Sequence, residues 1–423
     1  MNPNEPMNTT STVRPPMAAG GAVPPGSPPP YGQPSFYGQG PVGGPPPYGP
    51  GPGPYPPVNP YPGAPMSGQP GYGQPPVYGN PFNLAEIERK QKKRALRQAV
   101  NRSNWAVFLG IVAMNLLFLL LLYLLPLLGY RYTGFEQGFG GVSPVMYYLI
   151  QCVAYIVGIG LPFVLVLKHC GVPEHDVLHF AHVSPGVAVC CVLFGLGACM
   201  ASNYPANVVI QILDSMGVNS SLDSGVPYTS NMAANILYVI GVAVIPPLVE
   251  ELGFRGVMLS ALRRYGDGFA VLVTAVAFGI FHGNPVQIPF AFCVGLALGY
   301  IMVRTNNLLL CVVIHALNNG ISVFFELISP YVSDGMYNLL NVTIAYGLIL
   351  VGGICAVILL TRYKKQFGSR KTVVMSPWGP QVLRPRPPVE LSLGDRWGAV
   401  WSNPGFLSLV VLSLLECALF MYG

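Results

Sequence analysis

Residues 232–262 read MAANILYVIGVAVIPPLVEELGFRGVMLSAL, an apolar run whose only ionisable side chains in its interior are Glu250, Glu251 and Arg255. The run is longer than the ~20 residues that carry a helix across a bilayer core of ~30 Å, so it predicts a transmembrane helix. A charge at the centre of such a helix costs ~2.5–3.5 kcal/mol on insertion scales. Three ionisable groups within six positions must therefore be paired, or must do work that repays their insertion.

The rest of the chain extends that reading. Of its 423 residues 52% are hydrophobic and 9% charged, and its mean hydropathy is +0.48. A water-soluble domain carries about 25% charged residues, so this chain lacks the polar surface to coat itself in water. Apolar runs near Trp105–Leu128, Val145–Leu167, Pro185–Leu213, Met232–Leu262, Gly268–Gly283, Val286–Val303, Leu308–Leu327 and Tyr337–Thr361 predict eight spans. Gly405–Tyr422 is a candidate ninth. The expected fold is an all-α, polytopic transmembrane helix bundle spanning 105–361, with a polar cytoplasmic segment over 362–404 and an additional helix over 405–423.

Residues 1–82 differ in kind. PPPYG occurs at Pro28–Gly32 and again at Pro45–Gly49 within a segment of Pro, Gly, Tyr, Gln and Ser. Too few aliphatic side chains are present to build a core, which predicts a disordered tail of polyproline character. Such repeats also suit docking to a protein partner, whose identity the sequence does not give. No charged and apolar leader opens the chain. A basic juxtamembrane helix is expected over 83–104, with Arg89, Lys90, Lys92, Lys93, Arg94, Arg97 and Arg102 ahead of the first apolar run. This placement assigns the charge to membrane lipid and to a cytoplasmic N-terminus, with no nucleic-acid role. With that orientation the inner loops collect Lys168, Arg263, Arg264, Arg304, Arg362, Lys364, Lys365, Arg370 and Lys371, and the outer loops hold only Arg131.

The nine cysteines show no CxxC pairing and read as small apolar residues. The loop HCGVPEHDVLHFAH carries His169, Cys170, His175, His179 and His182. His175 and His179 have the spacing for a metal on a short helix, but a solvated connector is the simpler reading.

Helix geometry sorts the ionisable groups within the spans. Glu251 and Arg255 are four apart and share a face, which predicts a salt-bridge clamp. Glu250 points ~100° away and is the candidate working carboxylate. The Pro246-Pro247 pair predicts a helix restart that leaves Glu250 in its first turn. Phe278 with His282, and His315 with Asn319, are also four apart, and Glu326 stands alone near the end of its run. Counted along the helices, Glu250, His282 and His315 fall near the middle of the bilayer, where one pocket opening to the cytoplasm would collect them. A carboxylate, two imidazoles and an amide suit water activation and stabilisation of an oxyanion. Glu250, His282 and His315 are equally a ligand set for zinc. Each group also has a plainer reading, as a bundle staple or an interhelical hydrogen bond. A proton-relaying transporter would use similar groups, although no internal repeat of the kind transporters carry is visible.

The succession EExxxR at Glu250-Glu251-xxx-Arg255, FxxxH at Phe278–His282 and HxxxN at His315–Asn319, on consecutive apolar segments, resembles the CPBP family. These membrane-embedded endopeptidases include the type II CAAX prenyl proteases and the bacterial Abi and bacteriocin-immunity proteins. The resemblance covers about residues 185–361. It implies an intramembrane endopeptidase acting on a membrane-associated protein or lipidated peptide. Glu250 and His282 would activate water, His315 and Asn319 would form the oxyanion hole, and Glu251 and Arg255 would support them. Family members are classed as metalloproteases, and a metal-free glutamate mechanism is also argued, so both versions stay open here. The alternative is a non-catalytic interaction or immunity module of the same fold. Leu252 and Gly253 stand where bulkier apolar residues are common.

Overall fold

The structure, a computed structural model, describes residues 84–130, 141–170, 177–218, 229–363, 373–376, 379–382 and 391–422. The proline-rich tail, Arg131 and His175 lie outside the described residues. Helix α1 (Leu84–Leu127) and α2 (Pro144–Cys170) run antiparallel and pack along their lengths. The basic segment is thus not a separate element but the first turns of α1. After them come α3 (Pro185–Ala201), α4 (Asn203–Ser215) and α5 (Met232–Arg263). The sequence continues through α6 (Asp267–Phe281), α7 (Gln287–Thr305), α8 (Leu308–Ile328) and α9 (Asp334–Thr361). A short antiparallel hairpin pairs β1 (Val373–Ser376) with β2 (Gly379–Val382). Helices α10 (Leu393–Trp401) and α11 (Pro404–Tyr422) complete the described chain.

Local chemistry sets several boundaries. Asn231, Asn307 and Ser333 cap α5, α8 and α9 by accepting from backbone N–H groups of the first turn. Pro185 opens α3, where its missing N–H is not needed. Helices α3 and α9 approach at Gly197 and Gly352. A Cβ on Gly197 would lie 2.6 Å from the Leu348 carbonyl oxygen, so only glycine permits this close crossing.

Among the described residues eight helical segments are long and apolar enough to cross a membrane, α3 and α4 counting together as one. They differ in one respect from the expected set. The run at 268–283 forms α6, only 15 residues long and so ~22 Å, short of a full crossing. The candidate ninth segment, Pro404–Met421, does qualify. Leu339, Val342, Leu350, Ile354 and Val357 of α9 turn outward, as a lipid-facing helix requires.

The helix ends sort onto two faces. On one, Arg263 at the end of α5 donates to Asn306 Oδ1 at 2.7 Å and to the Val303 carbonyl. The Leu308 N–H, at the start of α8, donates to the His179 carbonyl. Arg89 Nε and Lys93 Nζ of α1 each stand 3.0 Å from the Asp395 carboxylate of α10. Asn403 Nδ2 donates to the Arg97 carbonyl. Arg264, Arg304, Arg362 and Arg396 belong to the same face, whereas the opposite helix ends carry no Lys or Arg among the described residues. Above this basic face sits a fully buried layer that includes Phe254, Met258, Leu262, Leu298, Met302 and Cys311.

Candidate active site

Glu251 and Arg255 are both fully buried, and Arg255 Nη1 donates to Glu251 Oε1 at 2.8 Å. The same oxygen lies 2.8 Å from His315 Nδ1. A carboxylate can only accept, so His315 Nδ1 carries the hydrogen and its Nε2 is turned the other way. The Arg255 guanidinium also lies 4.3 Å from the centre of the Phe278 ring. The clamp therefore does more than join one helix to itself: it fixes the tautomer and the direction of a histidine from α8.

Glu250 faces a different neighbour, as the ~100° step between adjacent residues requires. Its Oε1 accepts a hydrogen bond from the Tyr155 hydroxyl of α2. Its Oε2 is buried without a partner among the protein's groups and stands 4.0 Å from His315 Nε2. Gly253 explains why α2 comes so close. A Cβ there would fall onto the Phe163 ring, and Phe163 lies two turns along α2 from Tyr155. The glycine where a bulkier residue is common thus has a packing role.

His282 ends α6. Its Nδ1 lies 2.8 Å from the Phe278 carbonyl and must donate to it, which leaves Nε2 to the cavity. The chain turns at once through Gly283, whose φ of +56° suits glycine. The Glu416 carboxylate of α11 stands where a Cβ on that glycine would be.

The proline pair acts differently from the expectation. An α segment does begin at the pair, Ile245–Glu251 with both prolines in its first turn, but it follows without interruption on a π-helical turn at Ile240–Val244 and runs on into a second π-helical stretch at Leu252–Leu259. Glu250 therefore lies beyond the first turn of its segment. In an α-helix the Val242 carbonyl would accept from the N–H of residue 246, which proline lacks. Asn319 Nδ2 donates to that carbonyl instead, at 3.0 Å. Asn318 Nδ2 donates to Asn319 Oδ1 at 3.3 Å and orients the amide.

A cavity of about 350 Å³ unites these groups: Glu250, Phe278, His282, His315, Asn318 and Asn319 all line it. Asn203, Val242, Val286, Gln287, Phe290 and Ser322 complete much of the wall. Val242 lies farther from the basic face than Glu250 and Ser322 farther than Asn319, whereas Phe278 lies nearer to it than His282, and Ala291 and Val294 also line the wall. A buried layer around Phe254 and Met258 lies between the site and the basic face.

Of the residues singled out in the sequence, Glu250, His282, His315 and Asn319 come together on the cavity, and Glu251 and Arg255 stand behind it. Glu326 is apart from them, bonded by the Tyr238 hydroxyl. His179 and His182 lie in the connector to α3. The sequence reading missed Tyr155, Asn318 and Glu416. Only Glu416 had a visible signal, a lone carboxylate inside an apolar run.

Among the described residues no three His, Cys, Asp or Glu side chains are arranged to hold a metal ion. Two ligands about 2 Å from one tetrahedral zinc would be about 3.3 Å apart, whereas Glu250 Oε2 and His315 Nε2 are 4.0 Å apart. His282 Nδ1 donates to a carbonyl and so leaves Nε2 turned toward the cavity.

Residues 232–321 match the family model of the Rce1-like type II CAAX prenyl endopeptidases. The matched segment contains all six of the residues above. Over 101 residues the chain is 31% identical to the membrane-embedded CAAX protease MroQ of Staphylococcus aureus (strain USA300). That alignment covers 22% of this chain and spans 41% of the relative's length. No solved structure matches the chain.

Proposed function

We propose that this multi-pass membrane protein, whose segment 232–321 belongs to the CPBP family of intramembrane proteases, is an endopeptidase that hydrolyses a peptide bond with a water activated by Glu250. The observation that carries the reading is the unpartnered, buried Glu250 Oε2, aimed into a cavity that it shares with His282, His315 and Asn319.

The chemistry follows from the hydrogen-bond directions. A water between Glu250 Oε2 and His282 Nε2 gives both hydrogens to acceptors and keeps a lone pair for the carbonyl carbon. On attack the new C–O bond forms and the proton passes to Glu250. The oxyanion takes the second N–H of Asn319 Nδ2, whose first is held by Val242. Glu251 accepts from His315 Nδ1 and holds that ring with Nε2 toward the cavity, where a proton taken up on Nε2 would add a second donor. Collapse breaks the C–N bond, and protonated Glu250 returns its proton to the leaving amine. Tyr155 keeps the carboxylate turned toward the water throughout. No step needs a metal, so a chelator should leave the rate unchanged.

The basic face is assigned to the cytoplasm by the positive-inside rule, which places the N-terminal end of α1 there. The test of the activity compares new protein N-termini in membranes carrying wild type or Glu250→Gln at equal protein level. The substitution keeps the shape and removes the base, so specific products should vanish. Matching profiles under conditions where the protein is needed would leave the non-catalytic reading of the same fold in its place.

A further inference from the structure

The basic face carries a second cavity, of about 320 Å³, which shares no lining residue with the one around Glu250. Three parts of the chain build it: Lys92 of α1, Arg263 and Arg264 with the Gly266-Asp267 turn between α5 and α6, and Arg396 of α10. Four cations and one carboxylate therefore meet in one place. Arg264 and Asp267 are exposed, so water and solutes reach them.

The carboxylate does not balance the cations. Asp267 Oδ1 accepts from Arg263 Nε at 3.1 Å, and the remaining Arg263 nitrogens donate to Asn306 Oδ1 and the Val303 carbonyl. Arg264 donates from Nε alone, to the Ala261 carbonyl at 3.2 Å. Neither Arg264 nor Arg396 has a carboxylate partner among the described residues. Arg396 Nε is buried without any acceptor, and a buried N–H left unpaired costs free energy until something supplies one. The Arg396 guanidinium lies against the turn, with Nη1 3.1 Å from where a Cβ on Gly266 would stand. No side chain caps the first turn of α6 at that turn, so the helix adds its positive end to the same place.

The donors narrow the ligand. Two guanidinium forks, an ammonium and a helix N-terminus outnumber the two oxygens of a carboxylate and suit the several oxygens of a phosphate. The location narrows it further. On α10 Leu393 and Trp401 are exposed, an apolar and aromatic surface of the kind found at headgroup level, where basic pockets take up anionic headgroups.

We propose that this cavity is a binding site for a phosphate group, carried by an anionic lipid headgroup at the basic face or by a small soluble molecule. The site is independent of the endopeptidase reading, and its test reads no cleavage.

The test uses the full chain in detergent and follows the thermal midpoint, which a ligand of the folded state raises. One arm titrates inorganic phosphate against chloride at constant ionic strength, so that screening stays fixed. The other titrates phosphatidylglycerol into phosphatidylcholine micelles at constant total lipid. A saturable rise in at least one arm is expected. Arg264→Gln and Arg396→Gln should each raise the apparent Kd about tenfold or more, the loss of a charged hydrogen bond. Arg264→Lys should lose less, because it keeps the charge without the fork. Arg362→Gln, exposed on the same face but outside the cavity, should change nothing. Arg264 is exposed, so its variants keep the test valid even where Arg396→Gln misfolds. A response to phosphatidylglycerol alone makes the phosphate a headgroup; a response to inorganic phosphate makes the source soluble. No rise in either arm, or a rise that Arg264→Gln and Arg362→Gln weaken alike, would overturn the site.

Discussion

Replacing Arg255 by Met strands the Glu251 carboxylate. Arg255 Nη1 is the group that neutralises it, both side chains are fully buried, and water cannot take the place of the missing charge. Breaking a buried ion pair from one side costs about 3–5 kcal/mol. Loss of the cation over Phe278, worth roughly 2 kcal/mol when desolvated, falls within that range. At roughly 2–4 °C per kcal/mol, Arg255→Met should lower the midpoint by roughly 6–20 °C. Glu251→Gln should fall similarly, because Arg255 Nε and Nη2 have no other protein partner and the cation would be left bare. The double variant removes both charges and keeps an amide oxygen for His315 Nδ1. It should recover most of the loss, so the two effects are far from additive. The assay is the surviving monodisperse fraction of detergent-solubilised protein after heating. A double variant no more stable than the worse single variant would refute the clamp. Cleavage should stay impaired in the double variant, because His315 has lost its carboxylate.

Further outcomes follow from other contacts. Tyr155→Phe removes a hydrogen bond to a carboxylate worth about 1.5–3 kcal/mol. Cleavage of a Glu250-dependent substrate should lose about tenfold or more in kcat, with KM changing less; an unchanged kcat would remove Tyr155 from a positioning role. Gly283→Ala puts a Cβ at a positive φ, which costs ~1–2 kcal/mol, and drives it into the Glu416 carboxylate. Activity and thermal stability should fall together, and Glu416→Ala in the same chain should restore part of both. Asp395 is held well below the ordinary carboxylate range by its bonds to Arg89, Lys93 and Ser392. A depressed folded value stabilises above the unfolded value of about 3.9 and loses that contribution as pH falls through the folded one. Docking of α10 on α1 should therefore be flat from neutral pH to about 5 and weaken only below about 4, followed by a spectroscopic label on α10. Asp395→Asn should abolish that dependence.

How much of the site the sequence disclosed depends on how local each relation is. The placement of Glu250 on the cavity and of Glu251 against Arg255 was legible because adjacent and four-apart positions on a helix have fixed directions, and these survive the π-helical stretch that follows. The Pro246-Pro247 pair was misread because sequence alone does not show that a π turn can carry a helix through it. Asn319 was found by its spacing from His315, but its bond to Val242 joins positions 77 apart and leaves no periodic trace. Tyr155 was invisible for the same reason: one tyrosine on an apolar helix has no pattern, and its meaning comes from Gly253 letting α2 approach.

The contacts that fasten α1 to α10 and α11 set a timetable for biosynthesis. Arg89 and Asp395 are 306 positions apart, and so are Arg97 and Asn403. At about 5–20 residues per second, roughly 15–60 s separate the emergence of each partner from the ribosome. Throughout that interval the basic end of α1 is held by lipid headgroups or by the insertion machinery. Glu416 also arrives behind Gly283 only after the last residue lining the cavity, Ser322, has been made. A nascent protein arrested before α11 would therefore hold the lining residues of its cavity but lack the carboxylate that stands behind the Gly283 turn.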